Sequence, residues 1–206
     1  ICCTLYKSNT TNDFIYYLSK KNIFDRVVFF NRYVLIANYI LDKISNKNFL
    51  RKLYFKKLEG MHKDFLHIQA NKFYDEFLID KKIDFTHQLV KKYLNQEVKV
   101  VLTSATIDPV CEVIAQKLGI HSYHSSKLSY VNDVCEGTLQ INLAGNKSKS
   151  FDCNFIDVVV TDNLTDIDLI RIARKVVVVT KRSKLINWES LLYSFTETEI
   201  EYHVVD

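Results

Sequence analysis

The run VVVTDNLTDIDLI at residues 158–170 constrains the fold of this chain more than any other stretch. An unbroken aliphatic segment that ends in a polar turn reads as a parallel strand buried on both faces. In open α/β sheets, ligands sit in the crevice beyond the carboxyl ends of such strands. Asp162 and Asp166 stand at that end, with Asn163 between them.

The surrounding pattern extends this strand into a sheet. VKVVLTS (98–104) is a β-branched run, and ATIDPVCEVIAQKLGI after it reads as a helix capped by Asp108, with Pro109 in its first turn and Gly119 at its end. Strand-like pieces follow near HSYHSSK and GTLQINL. Then come FIDVVVTD as a strand, TDIDLIRIAR as a helix and KVVVVT as a further strand. Such alternation predicts a parallel sheet with right-handed crossovers. Residues 13 to about 95 are helical in character instead. Within them Leu53, Leu58, Phe65, Ile68, Phe73 and Phe77 are placed to share one apolar stripe. The expected fold class is therefore α/β, a core from residues 1–12 and 96–206 interrupted by an all-helical cap at 13–95.

Bulk composition limits the alternatives. With 206 residues, 48% hydrophobic and 25% charged, the chain has the make-up of a globular protein rather than a disordered one. The 28 basic and 24 acidic residues are spread along it, and a net charge of +4 gives no reason to expect a nucleic-acid partner. Cys2, Cys3, Cys111, Cys135 and Cys153 make no CxxC pair, and their odd number suits a reducing compartment, so the cytoplasm is the expected location. The apolar run at 27–41 is broken by Asn31, Arg32 and Asn38 and is shorter than the roughly 20 residues a bilayer needs. It reads as a buried helix, and membrane association is not expected. The opening residues ICCTLYKSNT do not read as a secretory signal. Nothing in the sequence speaks to the oligomeric state.

The polar residues gather where the strands end. Thr4 and the loop YKSNTT close the first strand, Thr103 and Ser104 the second, and Asp162, Asn163 and Asp166 the third, with Lys147 and Lys149 just upstream of the last. Hydroxyls opposite paired carboxylates, beside lysine, have the chemistry to hold a phosphate next to Mg²⁺: acids bind the hard cation, while hydroxyl, lysine and backbone N–H groups neutralise the phosphoryl oxygens. Each element also has a plain structural explanation. The two aspartates could cap a helix starting near Thr165, Ser104 could be a turn residue, and the lysines could line a solvated loop.

The ordered segments TLYKSNT, VVLTSATIDPVCEVIAQKLGI, LAGNKSK and VVVTDNLTDIDLI resemble the four motifs of the haloacid dehalogenase superfamily, most of all its phosphoserine-phosphatase-type branch with a helical cap after the first motif. The resemblance spans nearly the whole chain; its lysine motif is the least specific. It implies a Rossmann-like core, Mg²⁺ and a small phosphorylated substrate. Ser104 would then hydrogen-bond the transferring phosphoryl group, and Lys147, favoured over Lys149, would stabilise its charge. Asp162 and Asp166 would hold the metal, Thr4 would end the first motif, and Thr103, Ala105, Lys149 and Asn163 would line the substrate.

Two departures accompany the resemblance. The family's first motif is Asp-x-Asp-x-Thr. With Thr4 as its threonine, the nucleophilic aspartate falls one position before Ile1, so either the first strand begins upstream of the given residues, the favoured expectation, or no nucleophile exists. Cys2 occupies the position of the second aspartate, the general acid and base, whose backbone carbonyl also serves the metal. An ordinary thiol titrates near about 8.5, so it can donate a proton but is a poor base. The expected activity is therefore a phosphatase working through an aspartyl-phosphate with slow hydrolysis of that intermediate. A catalytically silent binding protein is the alternative, and a dehalogenase stands behind both, disfavoured by the intact acids.

Overall fold

The computed structural model describes residues 1–19 and 49–205; the run at 27–41 lies outside them. Its centre is the valine-rich strand foreseen in KVVVVT. Val176, Val177, Val178, Val179 and Thr180 are all buried, as a strand covered on both faces must be. This strand, β5 (Ala173–Thr180), lies between β4 (Ile156–Thr161) and β6 (Glu199–Val204), and both pairings are parallel. A second ladder joins β1 (Val101–Ile107), β2 (Ser122–Val131) and β3 (Val134–Ile141). β1 and β2 are parallel, but β2 and β3 form an antiparallel hairpin, so the sheet is not wholly parallel as the alternation had suggested. Its turn is Asn132–Asp133, both at positive φ, as the favoured two-residue hairpin turn requires.

Helices follow β1 and β4 as expected, with altered ends, and a further one after β5 had not been foreseen. The helices are α1 (Thr10–Ser19), α2 (Phe49–Lys56), α3 (Lys63–Phe73), α4 (Asp84–Asn95), α5 (Asp108–Leu118), α6 (Ile167–Ile170) and α7 (Leu185–Leu192). α5 carries Pro109 in its first turn and ends at Gly119, whose φ of 69° supplies the left-handed cap. Asp108 does not cap it: Ile107 is the N-cap residue, and the Asp108 carboxylate accepts the Leu128 amide of β2 at 3.0 Å. α6 is far shorter than TDIDLIRIAR suggested, because β5 claims the chain from Ala173 by pairing with Ile156. The apolar stripe also differs. α3 buries Leu66, Ala70 and Phe73, an i, i+4, i+7 set, and leaves Phe65 and Ile68 exposed.

Two apolar cores result. One unites Phe14, Ile15, Phe55, Leu58, Leu66 and Phe73 of the helical region with Leu102, Ile107, Val113, Ile114 and Leu128 around β1 and β2. The other packs Val159, Leu169, Ile170, Val176, Val178 and Leu192 around Trp188. The helical region is stitched to the hairpin by backbone hydrogen bonds: Gly60 donates to Cys135, Cys135 to Met61 and Lys63 to Asp133, at 2.8 to 2.9 Å. Gly137 is required there. Its φ is 68°, and a Cβ would come within 3.0 Å of the Lys56 Cα and 3.1 Å of the Phe55 carbonyl oxygen. Among the described residues, no helix is long and apolar enough to cross a membrane.

Candidate active site

Residues 1–8 do not form the strand expected before Thr4. They fold into a tight reversal in which the Ile1 carbonyl accepts the Leu5 and Tyr6 amides at 2.9 and 3.3 Å, and the Cys3 amide donates to Tyr6 at 2.8 Å. Cys3 sits at φ 54°, a left-handed conformation unusual for a residue with a side chain. The start of α4 holds this reversal from behind. Lys7 donates to the Lys81 carbonyl and Ile83 to that of Leu5, while the buried Thr86 hydroxyl donates to the Thr4 carbonyl at 2.8 Å and to Ile83 at 2.9 Å. Thr86→Val keeps the shape and removes the donor to a buried carbonyl. It is expected to cost about 1–3 kcal/mol, read as a lower urea midpoint at unchanged slope.

Held in this way, the Thr4 hydroxyl donates to Asp162 Oδ1 at 2.5 Å, across 158 residues of sequence. Burial pushes the Asp162 carboxyl above the ordinary range, against the Thr4 hydrogen bond and the Lys147 charge, which act to lower it. Asp166, one turn on, is buried, and its Oδ2 accepts the Lys147 ammonium at 2.7 Å and the Thr161 hydroxyl at 2.8 Å. Its Oδ1 is buried with no hydrogen-bond partner among the described residues. Neither aspartate caps a helix with its side chain. Asn163 performs that local task, accepting the Thr165 amide, and Asp166 makes no such bond although it begins α6. Helix capping therefore does not account for the two acids.

Of the two candidate lysines, Lys147 reaches the acids while Lys149 is exposed. The device that places Lys147 had not been foreseen: Asp168 accepts the Ser148 amide at 2.7 Å and anchors the lysine loop. Burial alone would raise the Asp168 carboxyl; hydrogen bonds from Ser148 outweigh it and hold the group below the ordinary range. The third acid in TDNLTDIDLI was the only sign of this anchor in the sequence.

On the other side of the reversal, β1 delivers Ser104. This hydroxyl is buried, donates to Thr106 Oγ1 at 3.0 Å and accepts the Thr106 amide at 3.1 Å. Thr106 in turn lies 2.7 Å from the Thr10 hydroxyl, and the Cys2 Sγ lies 3.0 Å from Thr10 and 3.5 Å from Thr106. Cys2 thus belongs to a continuous chain of hydroxyl groups ending at Ser104. Sequence reasoning had passed over Thr10 and Thr106, which are 96 residues apart and betrayed by no motif. Thr103 and Ala105 fall on the opposite side of the pleat from Ser104 and Thr106. The Thr103 hydroxyl is buried without a partner among the described residues.

Residues 2–4 thus carry the Ser104 network on one side and Asp162 on the other. The donor set beside Asp162 is made of oxygen: two carboxylates and the Cys2 carbonyl, which accepts the Thr4 hydroxyl at 3.4 Å. A hard divalent cation that keeps several waters fits such a set, and the unpartnered Asp166 Oδ1 and the desolvated Asp162 are groups such an ion would satisfy. Among the described residues there is no cluster of three or more His, Cys, Asp or Glu side chains that could hold a metal by themselves.

No protein-family model matches the sequence, and a search of curated proteins also finds no match. Solved structures do match. A probable phosphoserine phosphatase from Vibrio cholerae superposes with a TM-score of 0.62 at 15% identity, covering 89% of this chain; the chain spans only 56% of that protein. A HAD family hydrolase from Salmonella enterica serovar Typhi gives 0.65 at 10% identity over 96% of this chain and 69% of its own. A phosphoserine phosphohydrolase-like protein from Francisella tularensis gives 0.59 at 15% identity, over 95% and 96%. Such identities speak to architecture, and the architecture agrees with the Rossmann-like α/β core expected from the four motifs. The chain has the fold of the phosphoserine-phosphatase-like hydrolases of the haloacid dehalogenase superfamily.

Proposed function

We propose that the protein is a Mg²⁺-dependent phosphatase of a small phosphorylated metabolite, working in the reducing interior of the cell, with the inserted region at 13–95 as a lid over the site. The observation that carries this reading is the convergence of Thr4, Asp162, Asp166 and Lys147 from three remote segments. The ion, when bound, would screen the phosphoryl charge and polarise its oxygens. Asp162, Asp166 and the Cys2 carbonyl would hold it. Ser104 would donate to a phosphoryl oxygen, and Lys147, fixed by Asp166 and the Ser148 anchor, would neutralise another. Thr103, Ala105, Lys149 and Asn163 remain candidates for the substrate's surroundings.

The chemistry requires an aspartate adjoining Ile1 on its amino side. Its carboxylate would attack phosphorus and break the ester P–O bond, and the leaving alkoxide would take the Cys2 proton. Water would then release phosphate from the aspartyl-phosphate. Cys2 makes that second step slow, because an ordinary thiol regains its proton at neutral pH and then cannot accept one from the attacking water, which a poised carboxylate can. The same residue favours a second reading, a binding protein that keeps the pocket without turnover.

The test is hydrolysis of an aryl phosphate with and without Mg²⁺, using protein that includes the residues encoded before Ile1 and Asp162→Asn as control. Mg²⁺-dependent turnover is expected, and Cys2→Asp is expected to raise it by roughly 10²-fold, within the range of general-base effects. An encoded residue other than aspartate before Ile1, together with phosphate binding but no turnover in Cys2→Asp, would establish the binding protein instead.

A further inference from the structure

The outward side of α7 carries apolar groups that no described residue covers. Ile186 is 76% exposed and Tyr193 89%, the two highest values among the large apolar side chains of the described residues. Single exposed hydrophobic residues need no explanation, but these two stand seven residues apart, two helical turns, and therefore share one face. The Tyr193 backbone keeps helical angles, φ −54° and ψ −34°, so the spacing holds to that residue. Trp188 and Leu192 take the inward side and fill the smaller core.

Charge is divided between the ends of the same helix. Lys181, Arg182 and Lys184 precede it and Glu197 follows it; all are exposed, and none makes an ion pair among the described residues. Neither the first turn holds an acid nor the last turn a base. This is the reverse of what steadies a lone helix, where acids favour the amino end and bases the carboxyl end. The local needs of α7 therefore do not account for it.

We infer that the outward face of α7 is a contact between two copies of this chain, packed antiparallel about a twofold axis. Such a contact is reciprocal, so the surface must complement itself when reversed. α7 does so in one register. With Ile186 against Tyr193 of the second copy, Arg182, four residues before Ile186, comes opposite Glu197, four residues after Tyr193. The apolar and the charged pairings share one centre, between Glu189 and Ser190, and each helix's basic amino end meets the negative end of the other. Glu189 is the exception, because it meets its own copy across the axis. A two-turn helix covers less than the roughly 1,200 Å² of a standard interface, so the dimer is weak, with a dissociation constant on the order of 10–100 μM. The inference does not depend on the phosphatase reading.

The experiment is sedimentation velocity of the chain over a range of about 1 to 500 μM, spanning that constant. The weight-average mass is expected to climb towards that of a dimer. Tyr193→Lys should hold the protein monomeric throughout with an unchanged melting temperature, since the side chain is exposed. Arg182→Glu and Glu197→Arg should each weaken association about tenfold, and together restore it, while Glu189→Gln should tighten it. A monomer at every concentration, or a dimer indifferent to Tyr193→Lys, overturns the inference. So does a double reversal that associates as weakly as either single change.

Discussion

Asp166→Ala is expected to lower the stability of the protein by about 3–5 kcal/mol and to abolish any phosphatase activity. The side chains of Lys147 and Asp166 are only 13% and 5% exposed and meet at 2.7 Å. Removing the acid takes from the ammonium the only described carboxylate it is hydrogen-bonded to, leaving Asp162 to act on it from farther away, and the penalty for breaking a buried ion pair falls in that range. The Thr161 hydroxyl loses its acceptor at the same time. In a chain of this size the loss amounts to roughly 2–4 °C of melting temperature per kcal/mol. Lys147→Met with Asp166→Leu should restore much of the stability and none of the activity, because a buried pair adds little over well-packed apolar groups. A melting temperature within a degree of the unaltered protein for Asp166→Ala alone would mean the pair is solvated and the site is open.

Trp188→Ala should cost about 3–5 kcal/mol, by cavity formation in the smaller core. Trp188 is fully buried and is the only tryptophan in the chain. It packs against Val159 and Val176 from the sheet and against Leu169, Ile170 and Leu192 from the short helices around it. Those helices are too short to be stable alone, so they depend on this contact. Its indole N–H has no partner among the described residues, so Trp188→Phe forfeits volume but no described hydrogen bond and should cost far less, about 1–2 kcal/mol. Denaturant titrations of the two variants, followed by far-ultraviolet circular dichroism, give the comparison directly. Similar losses in both would show that the ring's size is not what holds this core.

The two acids and the strand before them were legible because buried parallel strands have a composition of their own, and because polar residues have few reasons to stand at their ends. KVVVVT and the Pro109 to Gly119 helix were readable for similar local reasons. What depended on distant partners was not. Asp108 has the look of a cap, yet the Leu128 amide, 20 residues away, competes for its carboxylate and wins. α3 offers two neighbouring apolar stripes, and only the packing of α5 against it selects Leu66, Ala70 and Phe73 over Phe65 and Ile68. Two lysines separated by one residue in an irregular loop cannot be ranked by spacing; the Asp168 anchor ranks them. The hydroxyl chain from Cys2 to Ser104 is likewise a product of three segments meeting, with no period or motif to announce it.

The placement of the crevice between two separately packed cores has a consequence for how the protein fails. Ser104 lies on β1, whose Leu102 and Ile107 belong to one interior, and Asp162 follows β4, whose Val159 belongs to the other, and among the described residues the ladders of β1 and β4 are not paired with each other. Slippage along that seam would dismantle the chemistry while leaving both interiors dry and the helices intact. Mild denaturant should therefore extinguish ligand binding before tryptophan emission moves, since the lone indole reports on the carboxyl-terminal half alone.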